Sequence, residues 1–150
     1  MAGKGLYRAL LWSASLLGVI CFIFANSLTP RAESAAESRS FLDFFLSFLP
    51  SVTHHAVRKL AHLAEYALLG AHLAFLPLLF PLPLRKSIPL GLLFGLLIAS
   101  LDEGIQYFVP GRGASARDVL LDFVGCLLAL FSVLFLFFLI SKVRRRKRNA

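Results

Sequence analysis

The string LDEGIQYFVPGR, residues 101–112, puts two adjacent carboxylates and an amide at the end of an apolar run and closes on an arginine. If the run is helical, Asp102 and Gln106 share a face, while Glu103 points about 100° away. One carboxylate can then face a site and the other a structural partner. Upstream, RKLAHLAEY supplies Arg58, Lys59, His62, Glu65 and Tyr66. His62 shares a helical side with Glu65 and Tyr66, and His72 lies seven residues beyond Glu65, nearly in line with it. Downstream, Asp118, Asp122, Gly125, Ala129 and Ser132 recur at spacings of four and three, a small and polar seam suited to close packing.

These residue types support two chemistries. Guanidinium and ammonium groups such as Arg112 and Lys59 bind phosphate or carboxylate, with the acidic residues orienting them. His62 beside Asp102 or Glu103 is instead the pairing of general acid–base catalysis. Each residue also has a plainer role. Asp118 follows Ser115 at the spacing of a capping box, Arg112 can be a solvated turn charge, and His72 can be a packing histidine bonded within the bundle. His62 and Glu65 have a spacing found in carboxylate metal sites, but their order and partners do not match, so no metal site and no cofactor are expected. No Ser, Cys or Thr stands in a nucleophile motif. Cys21 and Cys126 fall in apolar runs without CxxC or metal spacing, so neither suggests a disulfide framework or a zinc site.

The elements that must position these groups follow from composition. The 150 residues are 58% hydrophobic with mean hydropathy +0.77, well above ordinary soluble domains, so the bilayer is the expected solvent. The chain reads as an all-α membrane protein, one domain over 1–150, built as a four-transmembrane-helix bundle with a short interfacial helix between the first and second spans. The spans fall at about 6–28, 58–80, 88–108 and 117–140, followed by a basic tail at 141–150. The interfacial helix is FLDFFLSFL at 41–49, too short to cross, with Ser40 and Asp43 at capping-box spacing; a hydrophobic plug packed on the bundle is the competing reading. A cleaved signal peptide competes with a retained first span, since Lys4 and Arg8 precede the apolar centre and small residues stand at Ala25 to Ser27. Gly91 and Gly95 form GxxxG in the third span, a close-packing signal.

Charge fixes the expected orientation. Ten of the sixteen basic residues, five of them in RRRKR at 144–148, fall with the two termini and the 81–87 loop. All eight acidic residues fall on the other side. Both termini are therefore expected in the cytoplasm, with the tail on anionic lipid and no nucleic-acid partner. The polar constellation then faces away from the cytoplasm. Asp102 and Glu103 lie about 8–9 Å inside the end of their span, at a rise of about 1.5 Å per residue. Ionisable groups within a membrane are functional candidates by default.

Taken together, Lys59, His62 and Tyr66 in RKLAHLAEY, the string DEGIQYFVPGR with Asp102, Glu103, Gln106 and Arg112, then Asp118 and Gly125, resemble the VanZ-like family of small bacterial membrane proteins. Ser27 in NSLTP resembles the serine that ends that family's first helix. The likeness covers roughly residues 10–140, and it departs at Asp122, where the family usually has asparagine. It implies a multi-pass protein of the bacterial cytoplasmic membrane and a link to low-level resistance to the glycopeptide teicoplanin.

The expected ligand set is Lys59, His62, Tyr66, Asp102, Glu103, Gln106, Arg112, Asp118 and Asp122, engaging a lipid headgroup or lipid-linked cell-wall precursor. The alternative is a membrane-embedded hydrolase or transferase using His62, Asp102 and Glu103. A proton-coupled carrier along Asp102, Glu65 and His72 is the weakest reading, because four helices enclose little pathway.

Overall fold

Proline and glycine decide where the helices of this chain break and how closely they approach. The computed structural model describes residues 2–30, 54–80 and 82–149. They form helices α1 (Ala2–Leu28), α2 (His54–Leu73), α3 (Leu76–Leu79), α4 (Leu84–Tyr107) and α5 (Ala116–Asn149). No strand occurs among the described residues. Four segments are long and apolar enough to cross a membrane: Lys4–Leu28, Ala56–Leu79, Leu84–Tyr107 and Ala116–Arg148. The expected four-span helical bundle is what forms. The expected interfacial helix at 41–49 lies outside the described residues.

The second span falls where it was expected, and two helices, α2 and α3, carry it. Pro77 has no N–H to give the Leu73 carbonyl, so the chain tightens at Ala74–Phe75, where Phe75 N bonds His72 O at 3.1 Å. The indole of Trp12 on α1 donates to that same His72 carbonyl at 3.1 Å, so this one acceptor at the end of α2 takes two donors. The Trp12 ring also meets Phe80 edge-on at 5.8 Å. The third span starts earlier than expected, at Leu84, because Pro83 takes the N-cap position in extended conformation and Pro89 is accommodated inside the helix. The fourth continues through the basic tail to Asn149. At about 1.5 Å per residue its 34 residues exceed the roughly 30 Å hydrocarbon core, so one end must stand clear of it.

The bundle closes around Val19 and Ile23 of α1, Tyr66, Leu69 and Leu73 of α2, Ile98 and Ala99 of α4, and Cys126 and Leu130 of α5. α1 is thus an integral helix of the core. The most extensive helix pair is α2 with α5. A Cβ on Gly70 would overlap the Cys126 carbonyl, and one on Gly125 would stand 2.7 Å from the Leu63 carbonyl, so both positions require glycine for backbone-to-backbone approach. Gly95 of the GxxxG pair fits against the Cys126 sulfur, where a Cβ would stand 2.6 Å away. The buried stripe of α5 runs Asp122, Gly125, Cys126, Leu130. The expected seam is corrected at its far end, since Ser132 is exposed. The outer faces carry Leu17, Leu93, Leu120 and Phe135, all well exposed, a surface that lipid chains would cover without cost.

Candidate functional site

The C-terminal ends of α1 and α4 and the N-terminal parts of α2 and α5 meet at one end of the bundle, and the polar residues collect there. A cavity of about 140 Å³ opens among them. Its walls are Arg58, Lys59 and His62 from α2, Glu103 and Gln106 from α4, Gly111, Arg112 and Gly113 from the connecting turn, and Asp118, Leu121 and Asp122 from α5. Seven of the nine expected ligand residues therefore line one space. The other two, Tyr66 and Asp102, are wholly buried and stand outside the lining.

The turn that delivers Arg112 is written in VPGR. Arg112 N bonds Val109 O at 3.1 Å across Pro110 and Gly111, and Gly111 has φ 77°. That is the pattern of a type II turn, with proline at its second position and a left-handed glycine at its third. Arg112 emerges from it onto the cavity wall with Nε and Nη1 buried and without a hydrogen-bond partner. Burial and the neighbouring Arg58 pull its guanidinium below its usual pKa, while Asp102, Glu65 and Glu103 act in the opposite sense.

Asp102, Glu103 and Gln106, expected as orienting partners of the cationic groups, place their hydrogen bonds elsewhere, and Asp102 and Glu103 act on Arg112 through their charge. Gln106 Nε2 donates to Asp102 Oδ2 and to Ser27 Oγ, each at 3.2 Å. Glu103 Oε1 accepts the backbone N–H of Ser115. The only ion pair among the described residues joins Lys59 Nζ to Asp118 Oδ1 at 3.3 Å, and both side chains are about 40% exposed (40% and 38%). A pair that exposed contributes little by itself. It also replaces the expected capping box. Asp118 turns to Lys59, while Glu103 from another helix takes the Ser115 N–H that a box would have given to Asp118.

Two residues of the expected polar stripe on α2 serve α1 instead. Glu65 Oε1 accepts from Asn26 Nδ2 at 2.7 Å. His72 Nδ1 lies 2.9 Å from the Leu68 carbonyl, so Nδ1 must carry the proton, and Nε2 accepts from Ser15 Oγ at 2.9 Å. His72 is therefore a packing histidine, bonded on both nitrogens. Asn26 had no signal in the sequence beyond its place at a helix end, whereas Arg58 was visible as a basic residue opening the second span at the depth of the carboxylates.

What the site does bring together is one group from each of three helices. A ring nitrogen of His62 and carboxylate oxygens of Asp102 and Asp122 all lie within 4.8 Å of one another. Asp102 and Asp122 are 0% and 1% exposed. Asp102 has Gln106 on Oδ2, with the Ser27 and Tyr66 hydroxyls close by. Both oxygens of Asp122 and Nδ1 of His62 are buried without a hydrogen-bond partner. The site thus has two parts, a cationic wall made by Arg58, Lys59 and Arg112 and a floor of histidine and aspartate.

A family model described as VanZ/LLP1 matches residues 12–140, most of the chain and all of the site. No curated protein and no solved structure matches the chain significantly.

Proposed function

The chain belongs to the VanZ/LLP1 family, and from that premise we propose that this membrane protein binds the phosphorylated headgroup of a membrane lipid or lipid-linked cell-wall precursor at the cavity beside Arg112. The observation that carries the reading is Arg112 itself. A guanidinium with two buried nitrogens lacking acceptors is costly unless something else accepts from it, and a phosphate accepts from two of its nitrogens at once. Arg58 and Lys59 share the wall, so a di-anionic group meets more than one positive charge. The distribution of basic residues supports the cytoplasmic membrane with both termini inside, which turns the cavity toward the outer leaflet where wall precursors are displayed. A contribution to teicoplanin resistance is the corresponding physiological role.

The competing reading is a hydrolase or transferase acting on the same class of lipid, favoured by the convergence of His62 with Asp102 and Asp122. Purified protein in nanodiscs, incubated with labelled polyprenyl diphosphate and its saccharide-bearing derivatives, separates the two. Saturable binding with the label recovered intact supports the binding protein. Released saccharide or phosphate supports the enzyme, and no saturable binding at all overturns both.

A further inference from the structure

A headgroup phosphate accounts for Arg112, but it leaves Asp122 without a counterpart. This carboxylate is 1% exposed, and neither oxygen has a hydrogen-bond donor. Asp102, 0% exposed, stands beside it. Burying one carboxylate without a partner is expensive, and a second one nearby raises the cost further. His62 faces the same point, with Nδ1 also unpartnered. Among the described residues, Lys59 pairs with Asp118 and not with this floor.

We propose that His62, Asp102 and Asp122 form a binding site for a divalent cation of the manganese–zinc class, with a coordination position left open toward the cavity. Three helices supply one ligand each, and the donor set of one imidazole and two carboxylates suits these ions. The ligand atoms lie within 4.8 Å of one another, and two ligands of a metal bonded at about 2.2 Å stand at most roughly 4.4 Å apart. A small side-chain adjustment closes the set. The cation neutralises the two buried carboxylates, which removes the penalty that the empty floor would carry.

His62 and Asp122 line the cavity, whereas Asp102 closes the set from behind. Three protein ligands leave room for another, and that side faces the space where the headgroup reading seats a phosphate. The inference deepens that reading and rests on it only for what fills the open position. A phosphate oxygen on the cation, with Arg112 and Arg58 on the remaining oxygens, would be held from two sides.

The test uses the full chain in nanodiscs of neutral lipid, stripped with chelator and titrated with manganese alone, free ion being followed by electron paramagnetic resonance. The expected result is saturation at one ion per chain, competed by zinc. Asp122→Asn, which keeps the volume, and His62→Gln each weaken binding at least about tenfold, as even outer-shell changes at metal sites can do. His72→Gln, on the same helix, leaves it unchanged. Each variant is checked for an unaltered elution profile and melting temperature, and Asp102→Asn serves where either of the first two fails to fold. Absence of saturable binding of either metal overturns the proposal, as does wild-type affinity in Asp122→Asn, since a proton on Asp122 would then be what stabilises the floor. The headgroup reading fails separately. Lipid binding by a protein that takes up neither metal sinks the cation site alone, whereas stoichiometric manganese without any lipid binding sinks only the headgroup.

Discussion

Glu103 of α4 accepts the backbone N–H of Ser115, the residue just before α5. The bond crosses the VPGR turn and ties its two flanking helices, so the carboxylate that looks like part of the chemistry instead fixes the frame in which Arg112 is held. Glu103 is 4% exposed, and its Oε2 has no partner. Replacing it with alanine frees an N–H at the start of α5, a loss of the size of a helix cap, about 0.5–2 kcal/mol. Glu103→Ala should lower the melting temperature in detergent, while Glu103→Gln, which retains an accepting oxygen, should lose less. Equal losses in the two variants would show that the charge, not the bond, matters.

The turn makes its own prediction. Gly111 sits at φ 77°, which alanine adopts only with strain, so Gly111→Ala should weaken headgroup binding by shifting Arg112 even though no ligand contact is removed. The same change at Gly18, where an added Cβ meets nothing within 4 Å, should leave binding as it is. Binding isotherms for the two variants make the comparison.

Close packing of α2 on α5 holds His62 opposite Asp122. Gly125→Ala puts a Cβ 2.7 Å from the Leu63 carbonyl, and backbone cannot move aside as a flexible side chain can. Overpacking of this kind costs about 1–3 kcal/mol, so the variant should melt lower, and Gly70→Ala should do the same. Thermal unfolding monitored by tryptophan fluorescence is suitable, since Trp12 is the chain's one tryptophan and touches His72 and Phe80.

His72→Ala should separate stability from function. It removes the bond to Ser15 and leaves the cavity lining intact. The expected outcome is a lower melting temperature with unchanged ligand affinity at a temperature where the variant is folded. A selective loss of affinity would place His72 in the site.

Much of this was legible in the sequence because the membrane simplifies the reading. Apolar length gave the four spans, and adjacent charges in a span had to meet partners at the same depth, which brought Lys59, His62, Asp102, Arg112 and Asp122 to one end. Illegible was the choice of partner among residues of equal reach. Glu103 seemed suited to orienting a cation and Asp118 to capping a helix, and only the backbone path of the turn decides that Glu103 bonds Ser115 while Asp118 meets Lys59. Asn26 escaped notice because its partner, Glu65, lies 39 residues away across the bundle. The limits of the second span were legible, but the break between α2 and α3 was not, because the effect of Pro77 falls on a carbonyl four residues earlier.

The central claim is that Arg112 seats a headgroup phosphate, and its most direct test is the dissociation constant for a soluble short-chain polyprenyl diphosphate in wild type, Arg112→Lys and Arg112→Ala. The account predicts that alanine weakens binding at least about tenfold, roughly 1.4 kcal/mol, and that lysine, which keeps the charge but not the two-pronged geometry, falls between. Wild-type affinity in an Arg112→Ala protein that melts like the wild type would contradict it.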